Sequence, residues 1–351
     1  MAGARQLFAG WRGLGRFWLL IAVLVVLAGA ALQFFGPPSP SAKRVLAGQA
    51  PAPTQQTTVP TQSAPPQTVT APPARRPGRD TPGPIADPDP ALLEPAPELA
   101  TGLLPRVAAD GRMPMQAYAA GFDSSTRRPR VGVLLAGVGL NQAESEAAIR
   151  SLPGGVTLAI SPYAQNTAKL LGAARPAEHE YLLSVPMEPQ GFPLNDPGKQ
   201  ALMTSLSPEQ NRSRLEWILS RIAGYVGVVG AEGSMRGERF ASLSEEMDPV
   251  LKEFARRGLL YVDPRPGTAA LPLVWSRTVD LVIDEPGGAV DIDDKLARLA
   301  RLAREKGSAL GFAGAVRPVT IQRLTAWANG LAADGLALAP VSALVQAPMT
   351  R

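Results

Sequence analysis

The chain has 351 residues, no cysteine and a single histidine, His179. That excludes disulfides, thiolate metal sites and a zinc centre with the usual three histidine-rich protein ligands, and leaves no cofactor expected. The net charge of +5 is set at the N-terminus by Arg5, Arg12 and Arg16, whereas bases and acids nearly balance from Arg106 onward, so nucleic acid is not an expected partner.

The first element in the chain is the apolar run FWLLIAVLVVLAGAALQFF at 17–35, with Gln33 its one strongly polar residue. At 1.5 Å per residue, ~19 residues make a helix of roughly 28 Å, the thickness of a bilayer core. The pattern predicts a single-pass inner-membrane anchor, with 1–16 cytoplasmic and the remainder periplasmic. A cleaved signal peptide ending at Ala28-Gly29-Ala30 and a buried soluble helix are the rival readings. Residues 36–105 hold half of the 36 prolines and no Phe, Tyr or Trp, which predicts a disordered tether. Extended, ~70 residues would reach roughly 200 Å.

From 106 to 351 the composition is that of a folded domain. Apolar runs of strand length at 131–135, 156–160, 181–185, 225–229, 259–262, 279–283, 309–312 and 336–339 alternate with amphipathic stretches. Continuous rather than alternating apolar runs suit buried parallel strands. Ser207-Pro208-Glu209-Gln210 predicts a capped helix start with Leu215, Ile218, Leu219 and Ile222 on one face. A second helix is expected near 294–306, stopping at Gly307, and a third ends at Gly258. About eight β-then-α units fit an α/β fold, a (β/α) barrel that is not necessarily complete.

In such a barrel the loops after the strands carry the chemistry. Those positions hold Ala136, Gly137, Ser184, Glu188, Ala231, Glu232, Gly233, Ser234, Asp263, Arg265, Asp284, Glu285, Gly314 and Arg317, so carboxylates and arginines converge on one rim and no His does. His179, between Glu178 and Glu180, reads as a surface residue. Asp291, Asp293 and Asp294 open a helix, where acids suit the dipole, and lack the Gly and terminal Glu of a calcium loop.

Gly139-Leu140-Asn141, the stretch from Val156 to Ala164, His179-Glu180 ahead of Pro186-Met187-Glu188-Pro189, Gly233-Ser234, Val262-Asp263-Pro264-Arg265 and the closing run Leu338 to Leu344 follow one another in an order that resembles the divergent polysaccharide deacetylases. The resemblance spans about 106–344 and implies a distorted (β/α) barrel of polysaccharide-deacetylase type. It also implies a metal site of Asp and His, but the positions that supply it are Ala136, Gly137, Ser184, Ala231 and Gly314 here. The expectation is therefore a membrane-anchored, catalytically inactive relative, with no metal, that binds an envelope polysaccharide or an envelope protein. Glu188, Ser234, Asp263 and Arg265 are its candidate substrate contacts. Two alternatives stand beside it: an active hydrolase with a centre rebuilt from Glu188, Glu232, Asp263 and Asp284 around Mg²⁺, Ca²⁺ or Mn²⁺, and a purely structural envelope protein.

Overall fold

A computed structural model describes residues 79–348 except 98, 100 and 270. The expected cytoplasmic tail 1–16, the expected anchor 17–35 and the expected linker up to 78 lie outside the described residues. Among the described residues no helix is long and apolar enough to cross a membrane.

The described part is an α/β fold around a curled parallel sheet. Two short strands, β1 (Leu93–Pro95) and β2 (Leu103–Pro105), pair antiparallel ahead of a one-turn helix α1 (Pro114–Ala117). Then follow β3 (Arg130–Val138), α2 (Gln142–Ser151), β4 (Thr157–Ile160), α3 (Thr167–Ala174), β5 (Tyr181–Ser184), α4 (Pro208–Leu219) and β6 (Gly227–Val229). The chain continues through α5 (Glu238–Ala241), α6 (Ser244–Arg256), β7 (Leu260–Asp263), β8 (Ser276–Thr278), β9 (Leu281–Val282), α7 (Ala289–Lys306), β10 (Ser308–Ala313), α8 (Pro318–Gly330) and β11 (Ala337–Leu338). All eight expected strands form, and their order across the sheet is β8-β7-β6-β5-β4-β3-β10-β9, with β11 also on β3.

The two edge strands of that order are neighbours in sequence. Val279 N donates to Asp263 O at 2.9 Å and Asp280 N donates to Leu310 O at 2.8 Å. One segment therefore leaves β7 and joins β10 within two residues, which draws the two edges of the sheet together. Sequence reading missed β8 because Ser276-Arg277-Thr278 is polar and is held by pairing to Tyr261, Val262 and Asp263 rather than by its own apolar content.

Strand residues alternate between two cores. Val131, Val133, Leu158, Leu183, Val228 and Tyr261 pack outward under Leu215, Phe254, Leu296 and Leu324 of the helices. Leu134, Ala136, Ala159, Leu182, Ala231, Val262 and Phe312 pack on the other face with Leu92, Met115, Tyr118, Val341 and Leu344. The helix signals hold: Ser207 and Gln210 form a reciprocal capping box on α4, and Gly258 and Gly307 end α6 and α7 with φ of +67° and +80°. α7 begins at Ala289, earlier than expected, which places Asp291, Asp293 and Asp294 in its exposed first turns.

Two expectations are corrected. The stretch 79–105, read as the end of the linker, is ordered: Ile85, Leu92 and Leu104 are buried, and Arg257, itself buried, donates to Glu94 and to Pro105 O. Proline content hid the few apolar residues that tie this segment down. His179 is fully buried rather than exposed, its Nδ1 2.8 Å from Val156 O and its Nε2 3.2 Å from Ile149 O, and burial holds its pKa below the usual imidazole range.

The adjacent Glu180 is also fully buried and accepts from Ala120 N, Thr157 Oγ1, Ser342 N and Ser342 Oγ. Burial pushes its pKa up while those four donors pull it down, with burial the larger. This one carboxyl staples the N-terminal segment and the C-terminal turn to β4.

Candidate functional site

The C-terminal ends of the strands bring together three loops at a glycine junction. The register of β3 on β4 shifts between Leu135 and Val138, so Ala136-Gly137 forms a bulge, with Gly137 at φ +76°. A Cβ placed on Gly137 would stand 3.3 Å from Gly314 O and 3.7 Å from Gly233 Cα. One placed on Gly314 would fall 2.7 Å from Ser234 Cα. The loops after β3, β6 and β10 thus meet backbone to backbone, and Leu140, 56% exposed, lies over the contact.

The candidate residues fall into two groups. Gly137, Ser234 and Gly314 meet at this junction, while Ala136 and Ala231 are buried among the apolar residues of the inner core. Ser184, fully buried, has an Oγ without a hydrogen-bond partner. The retained charged residues, by contrast, are each engaged by local partners. Glu188 Oε2 accepts from Thr204 N and Thr204 Oγ1, both at 2.7 Å, and its Oε1 is 3.0 Å from Arg239 NH1. Asp263 takes a two-pronged contact from Arg265, Nε to Oδ1 at 2.9 Å and NH2 to Oδ2 at 2.7 Å, and also accepts from Thr268 Oγ1. Asp284 accepts from Gly314 N, Ala315 N and Arg317 NH2, so it holds the β10 loop in place. Glu285 pairs with Arg236 at 2.7 Å.

Glu232 is different. It is 4% exposed, its Oε1 accepts from Ser161 Oγ at 2.6 Å, and its Oε2 has no partner. Ser161 in turn accepts from Tyr163 N. Burial raises the Glu232 pKa to about 7, against the smaller opposing effect of the Ser161 hydrogen bond. Its loop is pinned by reciprocal Glu232–Met235 backbone hydrogen bonds, and the next residues are the Gly233-Ser234 of the junction. Ser161 and Thr204 were not singled out from sequence. Ser161 had a signal, since it closes a strand ahead of Pro162-Tyr163, whereas Thr204 lies 16 residues from the Glu188 it serves.

The family's metal does not fit these residues. Of the five equivalent positions only Ser184 carries a polar side chain, and a hydroxyl is a poor ligand for zinc. Among the described residues no group of three or more His, Cys, Asp or Glu could hold a metal ion.

Comparison with known proteins places this geometry. The profile of the divergent polysaccharide deacetylases matches residues 133–345. A crystal structure of an uncharacterized protein from Agrobacterium tumefaciens C58 is 32% identical, with a TM-score of 0.64, over 70% of this chain and 100% of that one. A crystal structure from Mycobacterium smegmatis, provisionally named a polysaccharide deacetylase, is 11% identical over 65% of this chain and 95% of that one; its TM-score of 0.40 carries no weight for the fold. No curated protein matches the chain significantly.

Proposed function

Because the chain belongs to the divergent polysaccharide deacetylase family, we propose that it keeps the family's distorted (β/α) barrel as a binding module for envelope polysaccharide or an envelope protein and has given up acetamide hydrolysis. The observation that carries this reading is the glycine junction. Where the family would project metal ligands, three loops touch through their own backbones, at Gly137, Gly233-Ser234 and Gly314. The rebuilt-carboxylate alternative keeps only Glu232, whose Oε2 is unpartnered, since Glu188, Asp263 and Asp284 are spent on Arg239, Arg265, Arg317 and backbone N–H groups.

Binding at this rim has independent support. Of seven exposed large apolar side chains among the described residues, five, Leu140, Phe192, Leu194, Leu243 and Val290, belong to segments that follow the C-terminal ends of the parallel strands, and two, Leu103 and Val107, lie in the N-terminal segment. Such a distribution favours a working rim over the purely structural reading, which called for an apolar patch elsewhere. Anchoring in the inner membrane, with the folded part in the periplasm, rests on the 17–35 run and the arginines before it.

The test is metal and product analysis of the purified folded part. After dialysis it should retain no stoichiometric zinc and should release no acetate from chitooligosaccharide or peptidoglycan fragments. Retained zinc together with acetate release, lost in a still-folded Glu232→Gln variant, would overturn the reading.

A further inference from the structure

The loop after β6 is hydrogen-bonded to the rest of the fold by side chains alone. Among the described residues, no backbone N–H or carbonyl from Ala231 to Arg236 bonds outside that stretch; its two backbone bonds join Glu232 and Met235 to each other. Two side-chain tethers cross from it to other loops. Arg236 NH1 is 2.7 Å from Glu285 Oε1, and Glu232 Oε1 accepts from Ser161 Oγ at 2.6 Å. Gly233 and Gly237, with φ of +56° and +57°, bracket the residues between them, and glycine moves between left- and right-handed backbone at little cost.

What the loop covers is polar. β5 lies between β4 and β6 in the sheet, and the ladder sets Ile160 beside Leu183, which places Ser161 and Ser184 side by side. Leu182 belongs to the inner core, so by strand alternation Ser184 shares the inner face. To reach Ser161 from the end of β6, the Glu232 carboxyl crosses the end of β5. It shuts in two polar atoms that have no partner, its own Oε2 and Ser184 Oγ. Their burial is a cost that opening the loop removes.

We propose that residues 231–237 form a strap over the mouth of the barrel, fastened by the Glu232–Ser161 hydrogen bond and released when the Glu232 carboxyl ionises. Ser161 and Tyr163 face this carboxyl from the end of β4, Ser184 from β5 and the Met235 backbone from its own loop. Among the described residues no charged side chain shifts it, so nothing holds the carboxylate in place. Arg214 and Asp196 act on Tyr163 instead, and burial pushes the Tyr163 pKa up to about 12, so that ring stays neutral. Burial outweighs the Ser161 bond in raising the Glu232 pKa to about 7, and burial is what ends when the strap lifts. With 7 for the closed strap and 4.5 for the open one, ionisation favours opening by about 70-fold between pH 5 and 8. The closed form remains the major one, so the effect is read as a rate. The inference does not rest on what binds at the rim, only on what shuts it.

The chain has no cysteine, so a single introduced thiol reports on the strap. In the full chain, Ser184→Cys is labelled with a small thiol reagent from pH 5 to 8, each rate divided by that of the same variant unfolded in urea. Ala303→Cys, buried on α7 in the outer core, reports opening of the whole fold alone. Ser184→Cys should label at least tenfold faster than Ala303→Cys, at a rate that low urea leaves unchanged. Its normalised rate should rise about 70-fold over that pH range. Adding Glu232→Gln, which keeps an oxygen for Ser161, should abolish the rise. Adding Arg236→Gln instead should speed labelling severalfold at every pH without changing the slope. Labelling as slow as that of Ala303→Cys, a rise that survives Glu232→Gln, or indifference to Arg236→Gln would each overturn the proposal.

Discussion

Burial of Glu232 makes the stability of the folded part fall as pH rises, and Glu232→Gln should remove that fall. The carboxyl has a pKa of about 7 in the fold against 4.5 when solvated. The folded state therefore holds the proton more tightly than the unfolded one. Its contribution is fully present below pH 4.5 and is lost progressively as pH rises through 7. A difference of about 2.5 pH units at 1.36 kcal/mol each is about 3 kcal/mol, of which roughly 2–3 kcal/mol falls between pH 5 and 8. For a domain of this size that amounts to about 4–6 °C in Tm. Gln keeps an oxygen for Ser161 Oγ and cannot ionise, so its profile should lack this component. His179 works in the opposite sense. Its pKa is lowered by burial, so the stability it contributes is complete above about pH 6.5 and declines as pH falls. Subtracting the Tm profile of the variant from that of the parent cancels the histidine and isolates Glu232. Parallel profiles from pH 5 to 8 would refute the reasoning, because they would mean that Oε2 finds water or a cation in solution.

Restoring an acid by Gly137→Asp should cost about 1–2 kcal/mol through the left-handed backbone at φ +76° and should not create zinc binding, as read by thermal melts and metal analysis. Asp263→Asn should lower stability by about 2–3 kcal/mol by stranding Arg265, measured in urea melts; intact stability with lost glycan binding would assign Asp263 to the ligand instead. Glu180→Ala leaves the Ser342, Ala120 and Thr157 donors unpaired in the interior, and a loss of at least about 3 kcal/mol is expected by the same assay. A chain beginning at Arg106 forfeits Ile85, Leu92 and Leu104 from the core and should be several kcal/mol less stable than one beginning at Arg79, which calorimetry will show.

Sequence by itself determined the strands and the helix ends of this protein. The expected strands β4, β5, β6 and β7 are continuous apolar runs because both of their faces are buried, and local rules of capping and left-handed glycine act within a few residues, as at Ser207-Gln210 and Gly307. It also determined that Ala136, Gly137, Ala231 and Gly314 bring no metal ligands to the rim, since that is a matter of side-chain identity. Other features were decided only in three dimensions. A histidine between two glutamates looks solvated until the carbonyls of Val156 and Ile149 close on it. A proline-rich stretch looks like tether until Leu92 finds Met115 and Tyr118. The polar β8 becomes a strand only because β7 is already there to pair with it. Asp263 and Glu188 look alike on the page as spare rim acids, and Glu232 with them. The fold gives the first two their own arginines and leaves the third with one hydroxyl, because partners up to 71 residues away in sequence, Ser161 to Glu232, are chosen by which loops the curled sheet lays side by side.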